Sequence, residues 1–328
     1  MSATQGARTA PLLILALGVV AIAHGSIFVR LAKAGPLAIA AWRLTLASAV
    51  VIPLALFFDR RAFSSLDGRL LAAIAGAGLL LAGHFATWIT SLSYTSIANS
   101  VVLVATVPVW VGIIGVVTGA LRLSRAMWIA ISLSVAGSAV IGWGSARLGA
   151  GTLRGDLLAV AGAICMGGYL LLAQRIQRRL PFLAFVAVIY ATAAAFLWIA
   201  AIASGARLSG FAPSTWWALA GIALVSQVIG HSSYNWSLRH LNPDLVAVTL
   251  LGEPMLAALL GLLFFAEPIP AMTLAGGALV LLAVLIATRA SRQPAAAPAA
   301  SSATRATHGS PAAARESLHR RAARARRP

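Results

Sequence analysis

Residues 227–267 read QVIGHSSYNWSLRHLNPDLVAVTLLGEPMLAALLGLLFFAE. Two long apolar stretches lie on either side of Arg239-His240-Leu241-Asn242-Pro243, the pattern of two helices joined by a short turn. Neither stretch is purely apolar. Gln227, His231 and Asn235 recur at i, i+4 and i+8 and so fall on one helix face. Glu253 interrupts the second stretch and is followed at once by Pro254. A carboxylate, an imidazole and two amides are expensive in hydrocarbon, which predicts a shared water- or solute-filled interior. The alternative reading is that they hydrogen-bond neighbouring helices.

The rest of the chain has the same character. Of its 328 residues, 60% are hydrophobic and only 10% charged, with a mean hydropathy of +0.91. Soluble domains carry about 25% charged residues. Runs of about 20 apolar residues recur, each long enough as a helix to cross a hydrocarbon core of roughly 30 Å. The lack of strand-like alternation disfavours a β-barrel. Cys165 is the single cysteine, so no intramolecular disulfide forms, and it reads as a packing residue. The first run, from Pro11, follows only Arg8 and lacks a convincing small-x-small cleavage site, so it reads as a span.

Ten spans are predicted, at about Pro11–Val29, Pro36–Phe58, Leu70–Leu92, Ile97–Leu121, Ala126–Trp143, Leu157–Ala173, Pro181–Ala203, Trp216–Leu238, Leu245–Ala266 and Ala271–Thr288. Short loops fit a compact bundle. With a cytoplasmic N-terminus, twelve basic residues flank the inner ends: Arg8, Arg60, Arg61, Arg69, Arg122, Arg125, Arg175, Arg178, Arg179, Arg239, Arg289 and Arg292. Five flank the outer ends: Arg30, Lys33, Arg147, Arg154 and Arg207. This bias predicts a multi-pass inner-membrane protein with both termini in the cytoplasm. Residues 1–10 form the cytoplasmic N-terminus, 11–148 and 149–288 two five-helix repeats, and 289–328 a basic tail. The tail holds nine arginines and one glutamate, so it contributes +8 of the net charge of +18. It has almost no large apolar residues, which predicts a disordered cytoplasmic segment drawn to anionic headgroups rather than to nucleic acid.

The halves carry sparse identities. At an offset of 146, Ser91-Leu92 meets Ser237-Leu238, Pro108 meets Pro254 and Gly115 meets Gly261; at 145, Arg30 meets Arg175 and Pro36 meets Pro181. Five spans per half start the second half on the opposite side. That gives inverted repeats, the architecture from which alternating access follows.

Other polar residues fall inside the spans. Arg43 lies about a third of the way along the second, where it snorkels, caps carbonyls or attracts an anionic solute. His84, Trp88, Ser91 and Thr95 share one face of the third. They mirror Gln227, His231 and Asn235 in the eighth, so His84 and His231 are expected to flank the midplane of one cavity. No Cys, Asp or second His completes a metal site, and no cofactor is expected. Pro108 and Pro254, at matched positions, are candidate hinges or simple packing kinks. Gly115-x3-Gly119 and Ala163-x3-Gly167 fit close helix contacts. Glu253 reads as the one acidic residue deep within a span. It carries a coupling proton, or it stays ionised against Arg43 or a solute ammonium.

At GSIFVRLAKAGPLAIAAWR, HFATWITSLSYTSIANSVVLVATVPVW, GHSSYNWSL and LLGEPMLAALLGLLFFAEPI the chain resembles the drug/metabolite transporter superfamily with two EamA-type domains. The resemblance covers roughly residues 12–288. One departure is that the Gly-Glu-Arg-like end after the fourth span reads Gly119-Ala120-Leu121-Arg122. The resemblance implies ten helices in an inverted 5+5 repeat. It also implies secondary transport, often export, of amino acids, metabolites or drugs. The partners it implies are a small-molecule solute and the bilayer, joined by a proton as coupling ion on the first reading of Glu253, and both monomer and homodimer are compatible with the pattern. A membrane-embedded enzyme is the alternative, but paired carboxylates, a nucleophile elbow and a nucleotide-binding loop are missing. A passive channel or scaffold is the other, but no filter-like repeat is present.

Overall fold

The computed structural model describes residues 3–119, 124–237 and 252–290. The predicted turn at 239–243, the start of the ninth span and the tail beyond 290 lie outside the described residues. All regular structure among the described residues is helical. The helices are α1 (Ala3–Ala23), α2 (Gly25–Leu31), α3 (Pro36–Phe58), α4 (Gly68–Ser91), α5 (Ile97–Val104), α6 (Val107–Val117), α7 (Arg125–Leu148), α8 (Ala150–Gln177), α9 (Phe182–Ala203), α10 (Pro213–Gly221), α11 (Ser232–Ser237), α12 (Gly252–Phe265) and α13 (Ala271–Ala290). A π-helical segment, Ile222–His231, joins α10 to α11.

Seven helical stretches among the described residues are long and apolar enough to cross a bilayer, and α12 and α13 contain shorter apolar ones. The outer surface agrees. Leu17, Phe57, Leu79, Val135, Ile199 and Leu263 are large, apolar and exposed. Such a surface suits lipid and would aggregate in water. Trp128, Trp143 and Trp217 are exposed near helix ends, where amphipathic rings suit the headgroup region. The chain is a multi-pass membrane protein.

The main contacts join the part of the chain before Gly149 to the part after it. Helix α3 packs on α9, α7 on α13, α4 on α8 and α9, and α1 on the π segment. Between two apolar helices in lipid, close approach of small residues supplies the attraction. At the α7–α13 crossing a methyl on Gly276 would come 2.5 Å from the Gly137 carbonyl oxygen, so the two backbones touch. The bundle has two ends. One carries Gly149 and the 92–96 connection; the other carries Asp59 to Asp67 and the α8–α9 turn.

The helices differ from the predicted spans in four places. The first helix begins at Ala3 with Pro11 inside it, and a break at His24 separates α1 from α2. The fourth span breaks at Ala105–Thr106, so Pro108 sits in the first turn of α6, where its missing N–H is harmless. Only Gly149 separates α7 from α8, so residues 150–156, predicted to connect the halves, are helical. Asp156 is therefore buried within a span, which corrects the expectation that Glu253 is the one acidic residue there.

A polar cluster between the halves

Arg43 is fully buried on α3. Its Nε donates to Gln227 Oε1 at 2.7 Å, which links the second predicted span to the eighth. Its guanidinium carbon lies 4.0 Å from the centre of the Phe85 ring and 5.5 Å from that of Trp88. Desolvated cation–π contacts of this kind contribute about 2 kcal/mol. Arg43 does not snorkel. Its two terminal nitrogens are buried and have no hydrogen-bond partner among the described residues. That is an unusual state for five donors on a permanent charge.

The histidines gather around the same aromatic ring. His84 lies 4.9 Å from Phe85 between ring centres, and His231 meets Phe85 edge-on at 5.6 Å. His84 Nδ1 donates to the Gly162 carbonyl at 3.0 Å; the acceptor fixes that nitrogen as the protonated one. Its ring is parallel to Trp88, 6.2 Å away. Thus Arg43, His84, Trp88, Gln227 and His231 are neighbours. The α4 stripe divides, because Ser91 instead bonds the Trp88 carbonyl and Ser100 Oγ, and Thr95 faces Asp156.

A small cavity lies beside the cluster, lined by Leu81, Met166, Tyr169, Tyr190, Gln227, His231 and Asn235. It has room for about one water molecule. Tyr169 reaches the Asn235 side chain, and Tyr190 reaches Gln227 and Ser232. Glu253 lies in the first described turn of α12, half-buried and within electrostatic reach of Arg43. It makes no ion pair with it; the pairs among the described residues are Arg30–Glu267 and Arg179–Asp67. Pro254 is buried next to it. The tyrosines escaped sequence reading, although three of the chain's four lie in this region: Tyr169, Tyr190 and Tyr234. Their hydroxyls, in otherwise apolar spans, were the available signal.

A family model for the EamA-like transporter family matches the chain twice, at residues 9–143 and 153–289. No curated protein matches it. A solved structure described only as the crystal structure of a protein superposes with a TM-score of 0.59 at 18% identity. The match covers 87% of this chain and 100% of that one, and it speaks for the fold alone.

Proposed function

Because the chain belongs to the EamA-like transporter family, we propose that it is a secondary active carrier that moves a small organic solute bearing a carboxylate by alternating access. The observation that carries the substrate class is the pair of bare, buried terminal nitrogens on Arg43. A buried charge without full partners is costly, and a carboxylate binds a guanidinium fork through two parallel hydrogen bonds. Gln227 holds the fork from its Nε side, and Phe85 and Trp88 support its face. His84, His231 and Asn235, with the tyrosines, complete the solute's surroundings, and Glu253 meets a cationic group where the solute has one.

The cavity is too small for such a solute, so the carrier must open by moving one half against the other. Ten spans in an inverted 5+5 arrangement supply that motion, with Pro108 and Pro254 as its hinges. The basic-residue bias supports an inner-membrane location with both termini cytoplasmic. The family resemblance supports export.

The test is counterflow in proteoliposomes with a panel of amino acids, organic acids and uncharged analogues. Only carboxylate-bearing solutes are expected to counterflow, and Arg43→Gln should abolish the signal at normal protein levels. Counterflow confined to uncharged or purely cationic solutes, unaffected in Arg43→Gln, would overturn the reading.

A further inference from the structure

A second polar cluster lies at the Gly149 end, away from the central cavity. Asp156 on α8 is 4% exposed. Its Oδ1 accepts from Thr95 Oγ1 at 2.7 Å and from Asn99 Nδ2 at 3.4 Å. Its Oδ2 makes no hydrogen bond among the described residues, although the Ser145 hydroxyl is close by. Asn99 also donates to Ser145 Oγ at 2.9 Å and accepts from Thr273 Oγ1. Every one of these partners is neutral and buried.

Among the described residues, the charged groups on the surrounding elements contact partners other than Asp156, although Arg30 Nε is itself buried without a partner. On α8 itself, Arg154 lies over the Tyr94 ring, and on α7 Arg147 lies over Trp143. On α2, Arg30 pairs with Glu267 at 2.9 Å and donates to the Thr95 carbonyl at 3.0 Å. The other Glu267 oxygen accepts the Ile97 N–H at 2.9 Å. Helix α5 and the first turns of α13 carry no charged residue. Among the described residues, no cation forms an ion pair with Asp156.

We propose that Asp156 is a proton-binding site: it holds a proton on Oδ2 while the Gly149 end is closed and releases it to water when the halves part there. An ionised carboxylate with one bare oxygen and only neutral partners is the costliest state available to this residue. The acid form removes that charge. Its O–H donates to Ser145 Oγ, which has a lone pair left after accepting from Asn99. Gly155 makes the arrangement reachable, because a methyl there would lie 2.7 Å from the Thr95 backbone nitrogen.

The cluster straddles the seam. Thr95, Asn99 and Ser145 precede Gly149, whereas Asp156 and Thr273 follow it. Separating the halves at this end strips Asp156 of its Oδ1 partners and hydrates it, and hydration favours the carboxylate. By linkage, the bound proton favours the closed end and rising pH favours the open one. Proton binding stands independently of solute transport; only its use in coupling rests on the carrier reading.

The test needs no solute. Infrared spectra of the purified full-length protein in lipid should show a protonated-carboxyl C=O stretch that shifts in deuterated buffer. The band is expected to be lost in Asp156→Asn and kept in Glu253→Gln. A wild type without the band, or a band unchanged in Asp156→Asn, overturns the proposal. Should Asp156→Asn fail to fold, Asp156→Glu takes its place: it should keep a protonated-carboxyl band at a shifted frequency, and an unmoved band overturns the proposal. In a Cys165→Ser background, Ser100→Cys is buried at the same end; its labelling by a water-soluble maleimide, divided at each pH by that of the unfolded protein to remove the thiolate's own pH dependence, should rise with pH. A ratio independent of pH overturns the proposal. Counterflow failing while the band behaves as expected would count against the carrier reading and leave the proton site standing.

Discussion

Gln227 is the single hydrogen-bond acceptor that the described residues offer to Arg43. Gln227→Leu removes it and leaves a buried charge with one more bare donor. We expect a loss of about 1–3 kcal/mol, read as a lower melting temperature in detergent. Gln227→Glu should do the opposite, because it supplies the carboxylate that the guanidinium lacks. That variant should melt higher yet counterflow poorly, since the solute's place is taken; one that melts higher and transports normally would sink the role given to Arg43. Glu253 is the other residue to separate. Glu253→Gln should stay folded and lose zwitterionic solutes while keeping simple organic acids. Unchanged counterflow of both classes would make Glu253 structural. Spacing alone brought Arg43, His84, Trp88, Gln227 and His231 into view, because polar groups in hydrocarbon are rare enough to stand out. It missed Asp156 because GTLRGD has the glycines and charges of a connection. Only the packing against Thr95 and Asn99 makes that stretch interior.

At the scale of elements, the α7–α13 crossing depends on two glycines touching. Gly276→Ala places a methyl 2.5 Å from the Gly137 carbonyl oxygen, so the helices must move apart. Overpacking of this kind costs about 1–3 kcal/mol. Gly277→Ala, whose methyl would find ordinary contacts at 3.6 Å, serves as the control and should be near neutral. Equal melting temperatures for the two variants would show that the seam is loose. Helix existence was readable throughout, since hydropathy and length mark each long span. Helix breaks were not readable from hydropathy, although Pro108 marked the place of one. The interruption at Ala105–Thr106 and the change of hydrogen bonding at Ile222 leave no mark in hydropathy, because apolar side chains continue through both.

Over the whole molecule, the two ends of the bundle are held by different chemistry. At the Gly149 end the seam is closed by buried groups and by Arg30–Glu267. At the other end an exposed pair, Arg179–Asp67 at 2.7 Å, joins the end of α8 to the start of α4. Arg179, with help from the Leu70 N–H, holds the Asp67 carboxyl below its usual range and Arg179 above its own. A carboxyl lowered by folding contributes stability above its unfolded pKa of about 3.9. That contribution is lost as pH falls through the still lower folded value. The pair is exposed, so its effect should be small and should fade with salt. Melting curves of Asp67→Asn and wild type should therefore differ slightly at neutral pH and low salt, and converge both in high salt and in strong acid. A difference that survives both conditions would show that the charge pair is not what Asp67 contributes.

The π segment has a mechanical consequence. Within it, amide protons reach five residues back; the Ser232 N–H, for example, meets the Gln227 carbonyl. Retightening to the ordinary register would pass one residue out of the coil and turn everything on one side by about 100° relative to the other. Gln227 and His231 ride on that coil, while Arg43 is anchored on a different helix. A crank of one residue would thus swing the amide off the guanidinium without breaking the rod that carries it.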